Sequence, residues 1–126
     1  MSDCVVDSSV VMAVLYSEPE SDAMIDRLPL AAMSSVNFAE VISKLCEDGV
    51  AEAEARIHVL ELGVEVIAFD VDQAAAAGAL RPATRAHGLS LGDRACLALG
   101  QQRNLPVLTA DRVWAQLSGF NITIIR

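Results

Sequence analysis

Hydrophobic positions along the chain follow two patterns that alternate from one end to the other. Short apolar runs bounded by turn residues are typical of buried strands, whereas apolar positions three or four residues apart are typical of helices. Strands are predicted at 3–7, 30–33, 64–69, 107–109 and 122–125. Helices are predicted at 9–15, 35–48, 51–62, 72–79, 91–103 and 112–117, with shorter helical segments ending near Pro29 and at Gly88.

Glycine and proline mark where several of these helices stop. Gly49 and Gly63 follow helical stretches, and Pro82 interrupts the helix that begins at residue 72. Because strands and helices alternate, we expect a mostly parallel sheet with helices on both faces, which is the α/β class. The length of 126 residues suits one domain that spans 1–126.

The stretch VVDSSV sets a carboxylate between two hydrophobic runs. Asp7 closes the first predicted strand, and Asp111 lies two residues beyond the strand VLT. Parallel α/β sheets bind their ligands at the carboxyl ends of strands, beside a point where the strand order reverses. We therefore expect both acids at the edge of the sheet that carries function.

Helix capping offers a simpler explanation for three of the acids. Asp7 and Asp111 each precede a predicted helix, where a carboxylate accepts backbone N–H groups, a contact worth about 1 kcal/mol. Asp93 stands in SLGD, which resembles a capping box with Ser90 as the cap. Taken singly, each of these acids is explained by a structural role at least as well as by a functional one.

Glu40 lies inside a predicted helix, in NFAEVISKL. It sits off the centre of the apolar face that its neighbours form, and Lys44 follows four residues later. Residues four apart on a helix are neighbours, so a surface ion pair between these two side chains is available.

The four acids together point to a metal ion. Carboxylates brought to one edge raise one another's pKa, so a compensating cation is expected. Oxygen ligands suit Mg²⁺ or Mn²⁺, which can activate a water molecule and stabilise the leaving oxygen of a phosphodiester. The candidate metal-binding and catalytic residues are Asp7, Glu40, Asp93 and Asp111. The candidate hydroxyl donors that orient these carboxylates are Ser8, Ser9 and Thr109, for which turn and cap roles remain equally open.

The charge of the chain is unevenly distributed. The formal net charge of −8 argues at first against nucleic acid as a partner. Residues 1–72 hold fifteen acids and three bases, whereas residues 73–126 hold two acids, Asp93 and Asp111, and six bases. The arginines near these two acids form either a solvated face or a basic rim around a carboxylate site. They are Arg81, Arg85, Arg94, Arg103 and Arg112.

Other chemistries lack their motifs. The chain has no GxxxxGK[ST] or GxGxxG sequence, so nucleotide binding is not indicated, and it has only two histidines, which leaves zinc chemistry poorly supported. Cys4, Cys46 and Cys96 have no CxxC spacing and are predicted to be buried thiols in a reducing cytosol. Trp114 is predicted to anchor the core. No apolar run reaches the length of a membrane span and no basic leader precedes one, so we expect a cytoplasmic protein.

Four sequence blocks resemble those of PIN-domain ribonucleases, and among these the VapC-type toxins of bacterial toxin–antitoxin pairs. The blocks are VVDSSV, NFAEV, HGLSLGDRACLALG and VLTADRVW, and they occur in the order of that family across essentially the whole chain. The resemblance implies a three-layer α/β/α sandwich with a mostly parallel central sheet.

The resemblance also implies roles for individual residues. It makes Asp7, Glu40 and Asp93 the main metal-binding acids and Asp111 a fourth acid that contacts metal through water or binds a second ion. Some family members carry a further acid shortly after the TAD block, where this chain has Val113 and Trp114. The implied activity is Mg²⁺- or Mn²⁺-dependent cleavage of RNA, and the implied partners are a small antitoxin protein and a second copy of the chain.

We therefore interpret the sequence as a metal-dependent endoribonuclease that cleaves RNA with metal-activated water. Two alternatives remain open: a non-catalytic α/β binding module, and an aspartyl-phosphate enzyme. Phosphatases of the latter kind use D-x-D near the first strand, where this chain has Asp7, Ser8 and Ser9. A receiver-like site needs a lysine late in the chain, but the only lysine is Lys44.

Overall fold

The structure, a computed structural model, describes all residues 1–126. Five strands form one sheet in the order β3-β2-β1-β4-β5, and every neighbouring pair is parallel. The prediction of a parallel α/β sheet is thus confirmed. The strands are β1 (Cys4–Val6), β2 (Ala31–Ser34), β3 (Glu65–Ile67), β4 (Val107–Thr109) and β5 (Ile122–Ile124).

Seven α-helices connect or flank these strands. They are α1 (Ser8–Leu15), α2 (Ser21–Met24), α3 (Ser35–Glu47), α4 (Glu52–Leu60), α5 (Val71–Ala79), α6 (Arg81–Thr84) and α7 (Leu91–Arg103). Short 3₁₀ helices occur at Leu28–Leu30, Arg85–His87 and Arg112–Gln116. None of the helices is long and apolar enough to cross a membrane.

The bounds of α7 and β4 agree with the prediction, whereas most of the other predicted elements are shorter by one or more residues, and the reason is clear for three of them. The first strand ends before Asp7, because that side chain caps α1. The third predicted strand is limited to Glu65–Ile67, the residues that pair with β2 at the edge of the sheet. The helical segment predicted to end near Pro29 is interrupted: α2 ends at Met24 and a 3₁₀ helix follows at Leu28–Leu30. Pro29 lies at the start of that 3₁₀ helix. Residues there have no intrahelical acceptor for an N–H group, so the helix loses no hydrogen bond to the proline.

Alternating side chains divide the core into two layers, one on each face of the sheet. Val6 of β1 packs in a cluster with buried residues of α1, α3 and α4, whereas Val5 packs with buried residues of α7. Neighbouring strand residues point to opposite faces, so β1, β2 and β4 each contribute to both layers. The result is the three-layer α/β/α sandwich that the resemblance implies.

The cysteine prediction holds for two of three residues. Cys4 and Cys96 are buried, but Cys46 is exposed on α3, so the prediction that it is buried was wrong. Position 46 follows the buried Leu45 directly, and consecutive helix residues face different directions. Trp114 is 1% exposed, which confirms its place in the core.

The strand order places a topological switch point between β1 and β4. From β1 the chain builds the sheet outward through β2 and β3, and then returns to add β4 on the other side of β1. Ligands of such sheets bind at the carboxyl ends of the strands beside this point. Asp7 follows β1 and Asp111 follows β4, so both acids stand there.

Two helical glycines allow a matched test of this packing. A Cβ at Gly100 in α7 would lie 2.3 Å from Val107 Cγ2 of β4, whereas a Cβ at Gly78 in α5 would meet nothing within 4 Å. Gly100→Ala should therefore lower the free energy of unfolding by about 1–3 kcal/mol through overpacking. Gly78→Ala should raise it by about 0.5–1 kcal/mol through helix propensity. Urea denaturation measures both changes, and equal effects would contradict the close approach of α7 to β4.

Candidate active site

Asp7 connects the central strand to the first helix. Its backbone is extended, and its Oδ1 accepts a hydrogen bond of 3.2 Å from the backbone N–H of Val10, so it is the N-cap of α1. The capping role is confirmed. The residue is only 4% exposed, which is unusual for a carboxylate and requires partners for both oxygens.

Two hydroxyl groups supply those partners. Ser9 Oγ donates to Asp7 Oδ1 at 2.5 Å, and Thr109 Oγ1 donates to Asp7 Oδ2 at 2.6 Å. Each hydroxyl also accepts a backbone N–H: Ser9 from Ala110 at 2.9 Å, and Thr109 from Asp111 at 3.0 Å. The backbone at the end of β4 thus helps to hold both hydroxyls on the Asp7 carboxylate.

Ser8 differs from the other two candidate donors. Its hydroxyl group donates to none of the four candidate carboxylates, and the residue opens α1 half-buried. Of the three hydroxyl residues singled out in the sequence, the structure thus brings Ser9 and Thr109, but not Ser8, into contact with a site acid.

Burial of the Asp7 carboxylate changes its proton affinity. Burial raises the pKa of Asp7 to about 6 from an ordinary value of 3.8, and the nearby charge of Asp93 adds to the increase. Hydrogen bonds from Ser9, Thr109 and the Val10 N–H lower the same pKa and offset part of the effect. None of the ion pairs in the structure involves Asp7, so its negative charge has no paired cationic side chain.

Glu40 is held by its own helix and by the start of α7. Asn37 Nδ2 donates to Glu40 Oε1 at 2.8 Å, and a Cβ built on Gly92 would lie 2.3 Å from Glu40 Oε2. The ion pair with Lys44 that the helix spacing offered does not form, because Lys44 pairs with Asp48 at 3.8 Å. Glu40 therefore lies against α7 and not along its own helix surface.

Asp93 forms the capping box that the sequence predicts. Its Oδ2 accepts the backbone N–H of Ser90 at 2.9 Å, and its own N–H donates to Ser90 Oγ at 3.2 Å. These bonds fix the carboxylate in the first turn of α7, directly after Gly92.

Three of the four candidate acids lie near one buried thiol. Burial raises the pKa of the Cys96 thiol well above its ordinary value, and the charges of Asp7, Asp93 and Glu40 add to that increase. Since charges act strongly only at short range, the three carboxylates share one region around the first turns of α7. We call Asp7, Glu40 and Asp93 the acid cluster.

Asp111 lies beside the acid cluster. Its Oδ1 accepts the Val113 N–H at 3.0 Å, which confirms the predicted cap, and the residue is exposed. It is tied to Asp7 through Thr109, whose hydroxyl accepts the Asp111 N–H and donates to Asp7.

An open cleft, which we call the Arg112 cleft, adjoins this hydroxyl network. It is lined by Ser9, Ala110, Asp111, Arg112 and Arg126.

The arginines of the second half of the chain do not form one continuous rim. Arg112 lines the Arg112 cleft, whereas Arg94 donates to the Ala77 carbonyl at 3.1 Å and ties α7 to α5. Arg126, which the sequence interpretation did not single out, lines the cleft and pairs with Glu18 and Glu20. The remaining three, Arg81, Arg85 and Arg103, are exposed.

The chemistry of the acid cluster fits a divalent cation. Its donors are carboxylate oxygens, the class that Mg²⁺ and Mn²⁺ prefer, and the buried Asp7 charge lacks a paired cation. As they stand, however, no three histidine, cysteine, aspartate or glutamate side chains form a group that could hold a metal ion. Drawing these carboxylates around a single point requires a positive charge, because like charges raise one another's pKa.

Two residues of the site were missed in the sequence. Asn37 is 1% exposed and bonds both Glu40 and the Gly92 carbonyl, the latter at 3.0 Å. The signal for Asn37 was its position three residues before Glu40, a spacing at which helix side chains meet. Gly92 had no such signal, since its lack of a side chain matters only where α3 approaches α7.

Comparisons with known proteins identify the family. The PIN domain family model matches residues 4–119. The fold resembles the DNA-bound VapBC structure from Salmonella typhimurium, with a TM-score of 0.76, 18% identity and 100% of both chains covered. It also resembles a toxin–antitoxin complex from Klebsiella pneumoniae, with a TM-score of 0.75, 19% identity and 98% of both chains covered. VapBC-5 from Mycobacterium tuberculosis is 28% identical, with a TM-score of 0.60 and 98% of both chains covered. A comparison with curated protein sequences finds no match.

The raised pKa of Asp7 predicts a pH-dependent stability. A carboxyl whose pKa is higher in the folded protein favours folding most below its ordinary pKa, and this contribution is lost as pH rises through the folded value. The difference between about 6 and 3.8 corresponds to about 3 kcal/mol. Asp7→Asn keeps a capping side chain and removes the charge, so in chelator it should be more stable than wild type above about pH 6.

Urea denaturation in chelator between about pH 4 and pH 8 measures this difference. The control is Asp70→Asn, the same substitution at the N-cap of α5, where the side chain accepts the Gln73 N–H at 2.9 Å but the residue is exposed. If wild type and Asp7→Asn had the same pH dependence, the burial of an uncompensated charge at Asp7 would be refuted.

Proposed function

Because the chain belongs to the PIN domain family, we propose that it is a metal-dependent endoribonuclease, the VapC-type toxin of a type II toxin–antitoxin pair. The observation that carries the proposal is the acid cluster, in which Asp7, Glu40 and Asp93 lie near the buried Cys96 and Asp7 is itself buried without a paired cation. Carboxylates assembled in this way are suited to hold a cation that acts on a phosphodiester.

Asp7, Glu40 and Asp93 are the residues proposed to hold Mg²⁺ or Mn²⁺. Asp111, beside the cluster, is proposed to contact the ion through water or to take part in binding a second one. When bound, such an ion supplies an activated water molecule as nucleophile and positive charge for the leaving oxygen.

The surrounding residues have proposed roles of their own. Ser9 and Thr109 donate to both oxygens of Asp7, and these bonds lower its pKa and favour the ionised form that a cation requires. Arg112 lines the cleft beside Asp111 and takes part in no ion pair, so its guanidinium group is available to bind a phosphate of the RNA.

The proposed partners follow from the resemblance and from the likeness to VapBC complexes. We propose that a small antitoxin protein binds the chain and covers the active site, that two copies form a dimer, and that residues 1–126 form one nuclease domain acting in the cytoplasm. The fold similarity to solved toxin–antitoxin structures supports the antitoxin proposal.

The alternative of an aspartyl-phosphate enzyme is less well supported. A receiver-like site needs a free lysine beside the reacting aspartate, but the single lysine, Lys44, pairs with Asp48 on α3. Both oxygens of Asp7 are also hydrogen bonded, which makes the carboxylate a poor nucleophile. Calorimetry with Mn²⁺ tests the alternative of a non-catalytic binding module.

Cleavage of RNA tests the proposed activity directly. The protein should cleave structured RNA when Mn²⁺ or Mg²⁺ is added and should stop when chelator is added. Asp7→Asn and Asp93→Asn should each reduce the rate about 100-fold or more, because each removes a charge that would face the cation. Asp70→Asn, which alters a cap outside the acid cluster, should retain full activity. Cleavage by Asp7→Asn at the wild-type rate would refute the assignment, and absence of Mn²⁺ binding in calorimetry would favour a binding module.

Salt dependence tests the role of Arg112. In chelator, a short fluorescein-labelled single-stranded RNA should bind Arg112→Gln more weakly than wild type, and the slope of log K against log salt should fall by about 0.7 for one lost phosphate contact. Arg103→Gln is the matched control, because Arg103 is an exposed arginine in the last turn of α7, far along the helix from the acid cluster. Equal slopes for both variants would exclude Arg112 from the RNA-binding surface.

A further inference from the structure

Asn37 is an almost fully buried amide at the contact between α3 and α7. It is 1% exposed, although it lies only three residues before the exposed Glu40. Its Nδ2 donates to Glu40 Oε1 at 2.8 Å and to the Gly92 carbonyl at 3.0 Å. One side-chain amide therefore connects a carboxylate of the acid cluster to the backbone of the neighbouring helix.

The orientation of this amide follows from its partners. Both atoms that it meets are acceptors, and an amide NH₂ offers two hydrogens, one for each. With oxygen and nitrogen exchanged, the amide oxygen would face a carboxylate and a carbonyl, and both contacts would be repulsive. In the observed orientation the Oδ1 atom is buried without a partner, which is itself unfavourable. The Nδ2 atom of Asn37 thus makes two hydrogen bonds, and the Oδ1 atom makes none.

Gly92 completes the arrangement from the side of α7. A side chain at this position would collide with the Glu40 carboxylate, since a Cβ would lie 2.3 Å from Oε2 and 2.6 Å from Cδ. The Glu40 carboxylate therefore occupies the space that a residue other than glycine would fill, directly before Asp93. Without the bond from Asn37, the flexible Glu40 side chain could turn to Lys44, which follows four residues later on the same helix.

We propose that Asn37 is a positioning residue that holds the Glu40 carboxylate beside Asp93, so that the two acids can bind one divalent cation. The inference rests on the proposed metal-dependent function. Residues that orient metal ligands through hydrogen bonds typically change metal affinity about 10- to 100-fold when they are replaced. Asn37 orients Glu40 through such a hydrogen bond, and Gly92 leaves the space that the Glu40 carboxylate occupies.

Metal affinity tests the proposal without depending on RNA cleavage. Asn37→Leu keeps the number and branching of the side-chain heavy atoms and removes both N–H donors, so the Kd for Mn²⁺ in calorimetry should rise at least about 10-fold. Gly92→Ala should raise it similarly by displacing Glu40, and it remains informative if Asn37→Leu fails to fold, because alanine favours the helix. The matched control is Gln73→Leu, which removes another buried amide, 4% exposed and bonded to Gln102, from the contact between α5 and α7.

The control separates positioning from general stability. We expect Gln73→Leu to lower Tm as much as Asn37→Leu but to leave the Kd for Mn²⁺ unchanged. In the metal-free protein, NMR scalar couplings should indicate one Glu40 rotamer in wild type and an average of rotamers in Asn37→Leu. An unchanged Kd in Asn37→Leu, or the same Glu40 couplings with and without Asn37, would overturn the proposal.

Glu40→Gln separates the failure of this inference from the failure of the proposed function. If Glu40→Gln weakens Mn²⁺ binding but Asn37→Leu and Gly92→Ala do not, Glu40 binds the cation and Asn37 does not position it. If Glu40→Gln also leaves the Kd unchanged, the assignment of Glu40 to the metal site is wrong, and the positioning role is overturned with it.

Discussion

The parallel pairing of β1 with β4 is the contact on which the site depends. It brings Thr109, at the end of β4, beside Asp7, at the end of β1, and the hydroxyl of one then donates to the carboxylate of the other at 2.6 Å. Ser9 completes the set from the first turn of α1. Both oxygens of the Asp7 carboxylate are thus held at the switch point of the sheet by hydroxyl groups. Backbone N–H groups at the end of β4 orient these hydroxyls.

The buried Asp7 carboxylate destabilises the folded protein but places a negative charge at the candidate site. A buried carboxylate without a paired cation raises the free energy of the folded protein at neutral pH, which the raised pKa of Asp7 reflects. The same unbalanced charge is what a divalent cation would neutralise, together with the charges of Glu40 and Asp93. Local destabilisation and the proposed affinity for a cation therefore have one physical origin, the burial of the Asp7 charge without a paired cation, to which the nearby charge of Asp93 adds.

Capping and the proposed metal binding are compatible roles for the same side chains. Asp7, Asp93 and Asp111 all accept backbone N–H groups at helix starts, as the sequence predicts. These bonds fix each carboxylate in place while leaving lone pairs available, because an ionised carboxylate has about four acceptor positions. Glu40 cannot be fixed in this way from inside a helix. It depends on Asn37 and on the space above Gly92 instead.

The sequence by itself determined the features that depend on neighbours within about four residues along the chain. These include the caps at Asp7 and Asp93, the bounds of α7, and the alternation that requires a parallel sheet. Only the tertiary structure decided that Glu40 turns to Asn37 and not to Lys44, because that choice depends on the approach of α7 to α3. Thr109 and Asp7 are hydrogen bonded although they are 102 residues apart in the sequence, and no local sequence pattern predicts a contact between residues so far apart.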